Sequence, residues 1–460
     1  MSELMMKFDS ICATNGDDTA FFYRQMNSSS SITSTGGHAD HRQGGNCHSE
    51  KKDHSNKLHT VGFSELNSNI NLIASELHNR HSLRSAFTSS NRPASMSTSA
   101  SCIPTEELIA LAGSRCVSNL PSPGEAAAVM ACARLHITFV PIALDGPHRT
   151  NDSRVKTILK ETKPIAAIAV LPLPDYVYGA DGQAVSGDDD DWETKPALSS
   201  SEVDVDYHPT ILRLNRLGIN RIITVKGQDG TVIGPMAGIA DKDLKVQSED
   251  MVEDGRDPMY ILYTSGSTSK PKAVIQTYSG LWNRICWQWK TFPFVQQMRR
   301  DIGLKETRNL LRKDDILCDG DIEKMQEIND IVLRRTSLSF VDSMAEIFGT
   351  LLGGASLFCH LYVEGNEMIR PGLGIGDMLD VASRDGLRIT RMTCLPSQLS
   401  QAFRYRKAKD VNNLEQNHHE WTETLDLVIV SGEPCPRALP SLCRVFLCQG
   451  TQGGQVLPWL

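Results

Sequence analysis

Residues 263–274 read YTSGSTSKPKAV. These residue types suit one chemistry, the holding of a polyphosphate. Gly266 lets the backbone approach a ligand closely, because no Cβ stands in the way. Thr264, Ser265, Ser267 and Thr268 offer hydroxyl donors, and successive amides in such a loop can form a concavity for anions. Lys272 adds a mobile cation. The GxxxxGK[ST] spacing of a Walker loop is missing. Composition alone leaves a Ser/Gly/Thr linker as an equal reading. A linker rarely follows an apolar strand directly, as this segment follows 259–263, or carries Pro-Lys at a fixed offset.

The elements that must position this loop are legible as alternating runs. Strands are expected over 137–144, 259–263, 388–395 and 425–430, with a further short apolar run at 164–171. Helices are expected over 106–111, 125–134, 155–161, 278–289 and 343–352, and from Ser397 onward, with Gly353 and Gly354 as a stop signal. Strands separated by helices at this spacing imply an α/β fold with a parallel, helix-covered sheet. Residues 1–100 read differently. The stretch 27–37 is NSSSSITSTGG and 85–101 is again rich in Ser and Thr. Such segments bury too little apolar surface to offset ordering entropy, so 1–100 is expected to be largely disordered, with one short helix at 70–77. His38, His41, Cys47, His48, His54 and His59 match no structural zinc spacing and read as a solvated polar tail. The run Asp188 to Asp191 reads as a solvated loop, and 295–330 as a charged, helix-like stretch.

The chain has 460 residues, 40% of them hydrophobic, which suffices for a sizeable core. Its formal net charge of -8 argues against a dedicated nucleic-acid surface, which needs clustered cations. The 12 cysteines include no CxxC pair and read as free thiols of a reducing compartment. No apolar run approaches the roughly 20 residues of a membrane span, and the N-terminus has no signal-peptide pattern. A cytoplasmic location is expected.

The loop resembles the signature of the adenylate-forming superfamily of AMP-dependent, acyl-activating enzymes, Tyr-Thr-Ser-Gly-Ser-Thr-Gly-x-Pro-Lys-Gly-Val. It departs from that signature at Ser269 and Ala273, where the family has glycines. If either position needs a left-handed backbone, the substitution costs roughly 1–2 kcal/mol. Other segments resemble the family in order: 129–149 (VMACARLHITFVPIALDGPHR), 339–354 (SFVDSMAEIFGTLLGG), 389–399 (ITRMTCLPSQL) and 428–434 (VIVSGEP). The segments QWKTFPF, LRRTSLSFVDS and SGEP are most similar to the branch of 2-aminoadipic 6-semialdehyde dehydrogenase and β-alanine-activating proteins. The resemblance covers roughly residues 105–445 as an N-terminal adenylation lobe of helix-covered parallel sheets, with an atypical insertion at about 295–330.

The resemblance implies ATP-dependent activation of a carboxylate to an acyl-adenylate, with release of pyrophosphate. Thr264, Ser265, Gly266, Ser267 and Thr268 would hold the phosphates, and Lys272 and Thr268 would act at the reacting groups. Gly432, Glu433 and Pro434 would wall the adenine, and Phe340, Val341 and Asp342 would face the acid. Two readings of Asp342 stand side by side: partner of an amino group along the substrate, or cap of the helix near Ser343. ATP and Mg²⁺ are the implied cofactors, and a small carboxylate the implied substrate. The family's Tyr-Gly-x-Thr-Glu motif, whose Glu holds Mg²⁺, and its C-terminal lobe with a catalytic Lys have no counterpart here, and 446–460 matches no family segment. These features imply a truncated, impaired enzyme. The competing expectations are an inactive fragment that binds nucleotide or a partner, and an unrelated phosphate-binding protein.

Overall fold

The computed structural model describes residues 3–26, 58–88, 108–114, 121–144, 152–171, 209–233, 257–264, 271–297, 329–362, 374–411, 424–437, 439 and 455–458. Their strands form two sheets of seven. The first has the order β14 (Gln455–Pro458), β13 (Leu427–Val430), β12 (Arg391–Cys394), β10 (Ile331–Leu333), β11 (Ser356–Tyr362), β1 (Thr19–Met26), β2 (Leu58–Gly62). The second has the order β7 (Val232–Ile233), β6 (Ile222–Lys226), β5 (Ala166–Leu171), β3 (Leu108–Ser114), β4 (Thr138–Leu144), β8 (Pro258–Thr264), β9 (Lys272–Thr277). Neighbours pair in parallel except at three sheet edges, β1 with β2, β6 with β7, and β8 with β9.

Side-chain alternation along these strands builds the layers. In β5, Ala166, Ile168 and Val170 enter one core while Ala167, Ala169 and Leu171 enter another. In β10 and β11, Val332, Leu357 and Cys359 join the first of these cores, and Ile331, Leu333 and Phe358 join a third. The first core therefore lies between the two sheets. It is filled by α1 (Glu3–Asn15), α2 (Phe63–Thr88), α3 (Pro123–Arg134), α6 (Tyr278–Thr291) and a helix over 342–352, here α7. The outer face of the second sheet is covered by α4 (Asp152–Thr162) and α5 (Pro209–Arg216). The outer face of the first is covered by α8 (Ile375–Arg384) and α9 (Pro396–Val411). The result is a five-layer α/β/α/β/α arrangement, in keeping with the rule that parallel strands are buried on both faces.

Helix α3 shows why the sequence can be packed this way. Every residue in it except Glu125 is buried, and its run of alanines keeps it thin. Ser122 caps it by accepting from the Glu125 amide at 3.1 Å, with Pro123 at the first helical position. Arg134, in its last turn, donates to Asp9 at 2.5 Å, to Asn67 at 3.0 Å and to Asn71. These acceptors lie on α1 and α2, so the polar face of the N-terminal helices is the shell around one buried cation. The disorder expected for 1–100 is therefore corrected for residues 3–26 and 58–88. There α1, β1, β2 and α2 supply Phe8, Phe21, Val61, Phe63, Leu66, Ile70 and Ile73 to the central core. His59, one of the residues weighed for metal, stacks on Tyr23 across the β1–β2 pair at 5.0 Å. His38, His41, Cys47, His48, His54, the 27–37 stretch, the acidic run at 188–191 and 298–328 lie outside the described residues.

Two further expectations change. The helix expected over 106–111 is strand β3 from Leu108 onward. A central strand with apolar residues on both faces has no period-2 signature, so its run is easily mistaken for a buried helix. The tail 446–460, which matches no family segment by sequence, contributes β14, which pairs in parallel with β13 from Leu427↔Gln455 to Val430↔Pro458. Pro458 is accommodated because β14 is an edge strand. The closest approach in the shared layer is at Gly124, where an added Cβ would stand 2.3 Å from the Lys226 carbonyl oxygen. Gly124→Ala is expected to cost about 1–3 kcal/mol through forced backbone displacement, read as a lowered urea midpoint with an unchanged slope.

Candidate functional site

The hydroxyl-rich loop connects β8 to β9, an antiparallel pair at the edge of the second sheet whose last pairing is Thr264↔Lys272. Thr264 donates from Oγ1 to the Lys272 carbonyl at 3.4 Å, so both ends of the loop meet at one point. Thr264 and Lys272 are exposed there. Ser265, Gly266, Ser267, Thr268 and Ser269 lie outside the described residues. Ala273 sits in regular strand register opposite Tyr263 and has no positive φ. The strain expected at that departure is thus absent.

The hairpin is anchored from the outer helix layer. Arg154 donates to the Tyr263 carbonyl at 3.0 Å, and the Tyr263 hydroxyl donates to Glu161 Oε2 at 3.0 Å. Burial and the Glu161 carboxylate push the Tyr263 phenol well above its ordinary range. Both partners lie on α4, so the last residues before the loop are held at backbone and side chain together. These two side chains escaped the sequence reading, because an Arg and a Glu on an amphipathic helix carry no local signal.

The segment expected to face the acid begins α7. Phe340 is 63% exposed and Val341 37%, and Asp342 is the first residue of the helix. The helix takes Val341 as its cap position with no side-chain capping bond, so the capping reading of Asp342 does not hold. Instead Asp342 Oδ1 accepts from Arg284 on α6, and Oδ2 accepts from the Ser431 hydroxyl at 2.5 Å. The buried Tyr260 phenol of β8 is pushed up to about 12, mainly by burial; Arg284 opposes the shift and Asp342 adds to it. Residues from β8, α6, α7 and the end of β13 therefore converge around one carboxylate. Arg284 was missed by sequence reading.

Ser431 leads into the turn expected to wall the adenine. Its amide donates to the Cys394 carbonyl at 3.1 Å, tying the ends of β12 and β13 together. Gly432 has φ +80, the left-handed region that glycine occupies without strain, and an added Cβ would meet Leu395 at 2.9 Å. Glu433 accepts from the Ser397 amide at 3.2 Å in the first turn of α9, where a carboxylate complements the helix dipole. Gly432, Glu433 and Pro434 present an exposed turn. Asp342 and Glu433 are both committed to protein donors. Among the described residues no group of three or more metal-ligating side chains gathers, and both carboxylates at this turn already carry protein donors.

Behind α7 lies a buried charge cluster. Arg334 is 1% exposed and donates to Glu346 Oε2 at 2.7 Å, and Glu346 also accepts from the amides of Arg335 and Thr336 and the Thr336 hydroxyl. Glu346 lies in a π-helical turn over Ala345–Gly349. The Trp289 indole donates to the Gly349 carbonyl at 2.9 Å, giving a group displaced from the regular helical ladder a partner. Glu125 Oε2 lies 3.8 Å from Arg334, so one guanidinium serves two carboxylates. Burial pushes Glu125 up to about 7, against the opposing Arg334 charge.

A family model described as "AMP-binding enzyme" matches residues 120–455. The beta-alanyl-bioamine nonribosomal peptide synthetase ebony of Drosophila melanogaster is 27% identical over 195 residues, 42% of this chain and 17% of that protein. The acetyl-coenzyme A synthetase of Novosphingobium aromaticivorans is 30% identical over 195 residues, 41% of this chain and 25% of that protein. The matched part thus spans a quarter or less of either relative. Among solved structures, the Vibrio cholerae adenylation domain AlmE in complex with glycyl-adenosine-5'-phosphate has a TM-score of 0.51 at 15% identity, covering 99% of this chain and 58% of its own. The acetoacetyl-CoA synthetase from Streptomyces lividans has a TM-score of 0.53 at 16% identity, covering 99% and 51%. These two share the fold.

A raised carboxyl favours the protonated form in the folded state. The stability tied to Glu125 is therefore full below its ordinary value of 4.5 and is lost as pH rises toward about 7. Glu125→Gln should gain stability relative to the parent between pH 5 and pH 8, by up to roughly 3 kcal/mol. Urea midpoints of both proteins at the two pH values check this.

Proposed function

This chain belongs to the AMP-binding enzyme family, and we propose that it binds ATP and activates a small carboxylate as an acyl-adenylate. In that reaction a substrate carboxylate oxygen attacks the α-phosphorus of ATP. The bond to the bridging oxygen breaks, and pyrophosphate leaves with its electron pair. Catalysis of this kind is mostly alignment and charge neutralisation. Ser265, Gly266, Ser267 and Thr268, with Thr264 at the root of the loop, would hold the β- and γ-phosphates. Lys272 would supply positive charge beside Thr268. The backbone of Gly432, Glu433 and Pro434 would wall the adenine, and Phe340 and Val341 would face the acid. Mg²⁺ is the family's expected counter-ion for the polyphosphate, but the committed carboxylates Asp342 and Glu433 do not fit it, so no step here passes through it.

The observation that carries this reading is the Asp342–Ser431 hydrogen bond at 2.5 Å. It seats the acid segment directly on the turn expected at the adenine. The acid's class stays open at this level, since the names of the relatives include both acetyl and β-alanyl. A β-alanine-activating branch draws support from the ebony match alone. The described cysteines Cys12, Cys132, Cys286, Cys359, Cys394 and Cys435 are free thiols, which supports a reducing, cytoplasmic setting. Among the described residues no helix is long and apolar enough to cross a membrane.

Titration calorimetry with ATP and pyrophosphate exchange with a panel of carboxylates test the proposal. Saturable ATP binding is expected, weakened about tenfold or more in Lys272→Ala through loss of a charge-assisted contact. Exchange that depends on an added acid establishes activation. ATP binding without exchange leaves a binding fragment, and no ATP binding overturns the reading.

A further inference from the structure

We propose that Arg284 sets the class of acid, and that this site takes carboxylic acids with an uncharged chain in preference to amino acids. The inference rests on the functional reading above. An amino acid needs an anion in the acid pocket to accept its ammonium group. The side chain at that place is Asp342, and both of its oxygens are occupied, Oδ1 by the Arg284 guanidinium and Oδ2 by the Ser431 hydroxyl. The pair is partly shielded, with Arg284 24% and Asp342 16% exposed. An entering ammonium would have to share that carboxylate with a guanidinium already in contact and would meet its repulsion. This is discrimination by a repulsive element. Phe340 and Val341, exposed beside the pair, offer the incoming chain only apolar surface. The Tyr260 phenol, which senses the charges of both Arg284 and Asp342, is neutral and does not replace the lost anion.

The arrangement also fixes what Asp342 does. It positions the turn at Ser431 rather than contacting substrate, and Arg284 acts through it. This separates the proposal from an amine-recognition role for Asp342, because the two roles predict opposite responses to substitution.

The test uses the full chain and non-hydrolysable sulfamoyl-adenosine analogues that differ only in an amino group, propionyl against β-alanyl and acetyl against glycyl. Titration calorimetry is expected to show each amine-free analogue binding about tenfold or more tightly than its amino partner. Arg284→Gln frees the Asp342 carboxylate and should bring the ratio to parity or reverse it. Asp342→Asn, which keeps the shape, should leave the amino analogue no better bound. Thermal melts establish that each variant is folded, and the Asp342→Asn measurement stands if Arg284→Gln is not. An amino analogue that binds the parent chain as tightly as its partner overturns the proposal. So does an Asp342→Asn variant that loses only the amino analogue. Parent chain that binds ATP but fails these comparisons refutes the inference alone. Parent chain that does not bind ATP refutes the functional reading, and the inference with it.

Discussion

The buried contact between Arg334 and Glu346 is the constraint on which the acid-facing segment depends. Glu346 gathers one guanidinium, two backbone amides and a hydroxyl, so its carboxylate fixes the chain from Arg334 to Thr336 against α7. Burying a charge costs far more than such a contact returns unless every lone pair is used. Here four donors come from three successive positions, Arg334 to Thr336. The π-helical turn over Ala345–Gly349 follows from the same packing. Its Gly349 carbonyl meets the indole of Trp289 on α6, which locks α7 to the helix that also carries Arg284. Phe340 and Val341 are then displayed from a rigid base, and Asp342 is delivered to Arg284 and Ser431. Removing one side of the Arg334–Glu346 pair would leave the other buried charge without its nearest counter-charge, a larger loss than any single apolar contact nearby.

The parts of this fold that the sequence made legible are those whose signal is local. β8, β13, α3, α6 and α7 announce themselves through apolar runs or, for α7, a Gly-Gly stop. The hydroxyl-rich loop is legible because its chemistry is carried by consecutive residues. What failed is non-local. The Asn and Ser residues of α2 look like a solvated tail until Arg134 arrives from α3 to use Asn67 and Asn71. Leu66, Ile70, Ile73, Ala74 and Leu77 do recur at helical spacing, but composition outweighed periodicity there. β3 hid because a strand apolar on both faces has no alternation. β14 hid because an edge strand is defined by its neighbour. At the candidate site, Asp342 was found but its partners were not, since Arg284 and Ser431 lie 58 and 89 residues away in sequence.

The loop at the β8–β9 turn occupies an edge rather than a sheet centre, and this has a physical reason. A parallel strand must hand its chain to a helix layer, which would draw a loop down over the sheet face. The antiparallel return of β9 keeps both ends of the loop together at the carboxyl end of β8, the place where open α/β sheets bind ligands. An edge hairpin alone would be mobile, since β9 has no second neighbour and exposes Val274 and Ile275. Arg154 and Glu161 remove that freedom where it matters, gripping Tyr263 by carbonyl and hydroxyl.

Charge is treated differently at the two ends of this site. At the hairpin, Lys272 stands exposed, which suits an anion as mobile and highly charged as a triphosphate. At the segment proposed to face the acid, the Asp342 carboxylate is paired with Arg284, beside the exposed apolar Phe340 and Val341. A polyphosphate can be held by hydroxyls, amides and one cation because its charge is spread over many oxygens. A single ammonium is a point charge, and a carboxylate already paired with a guanidinium attracts it less. On the proposed reading the two choices are independent, since Lys272 belongs to β9 while Arg284 and Asp342 belong to α6 and α7.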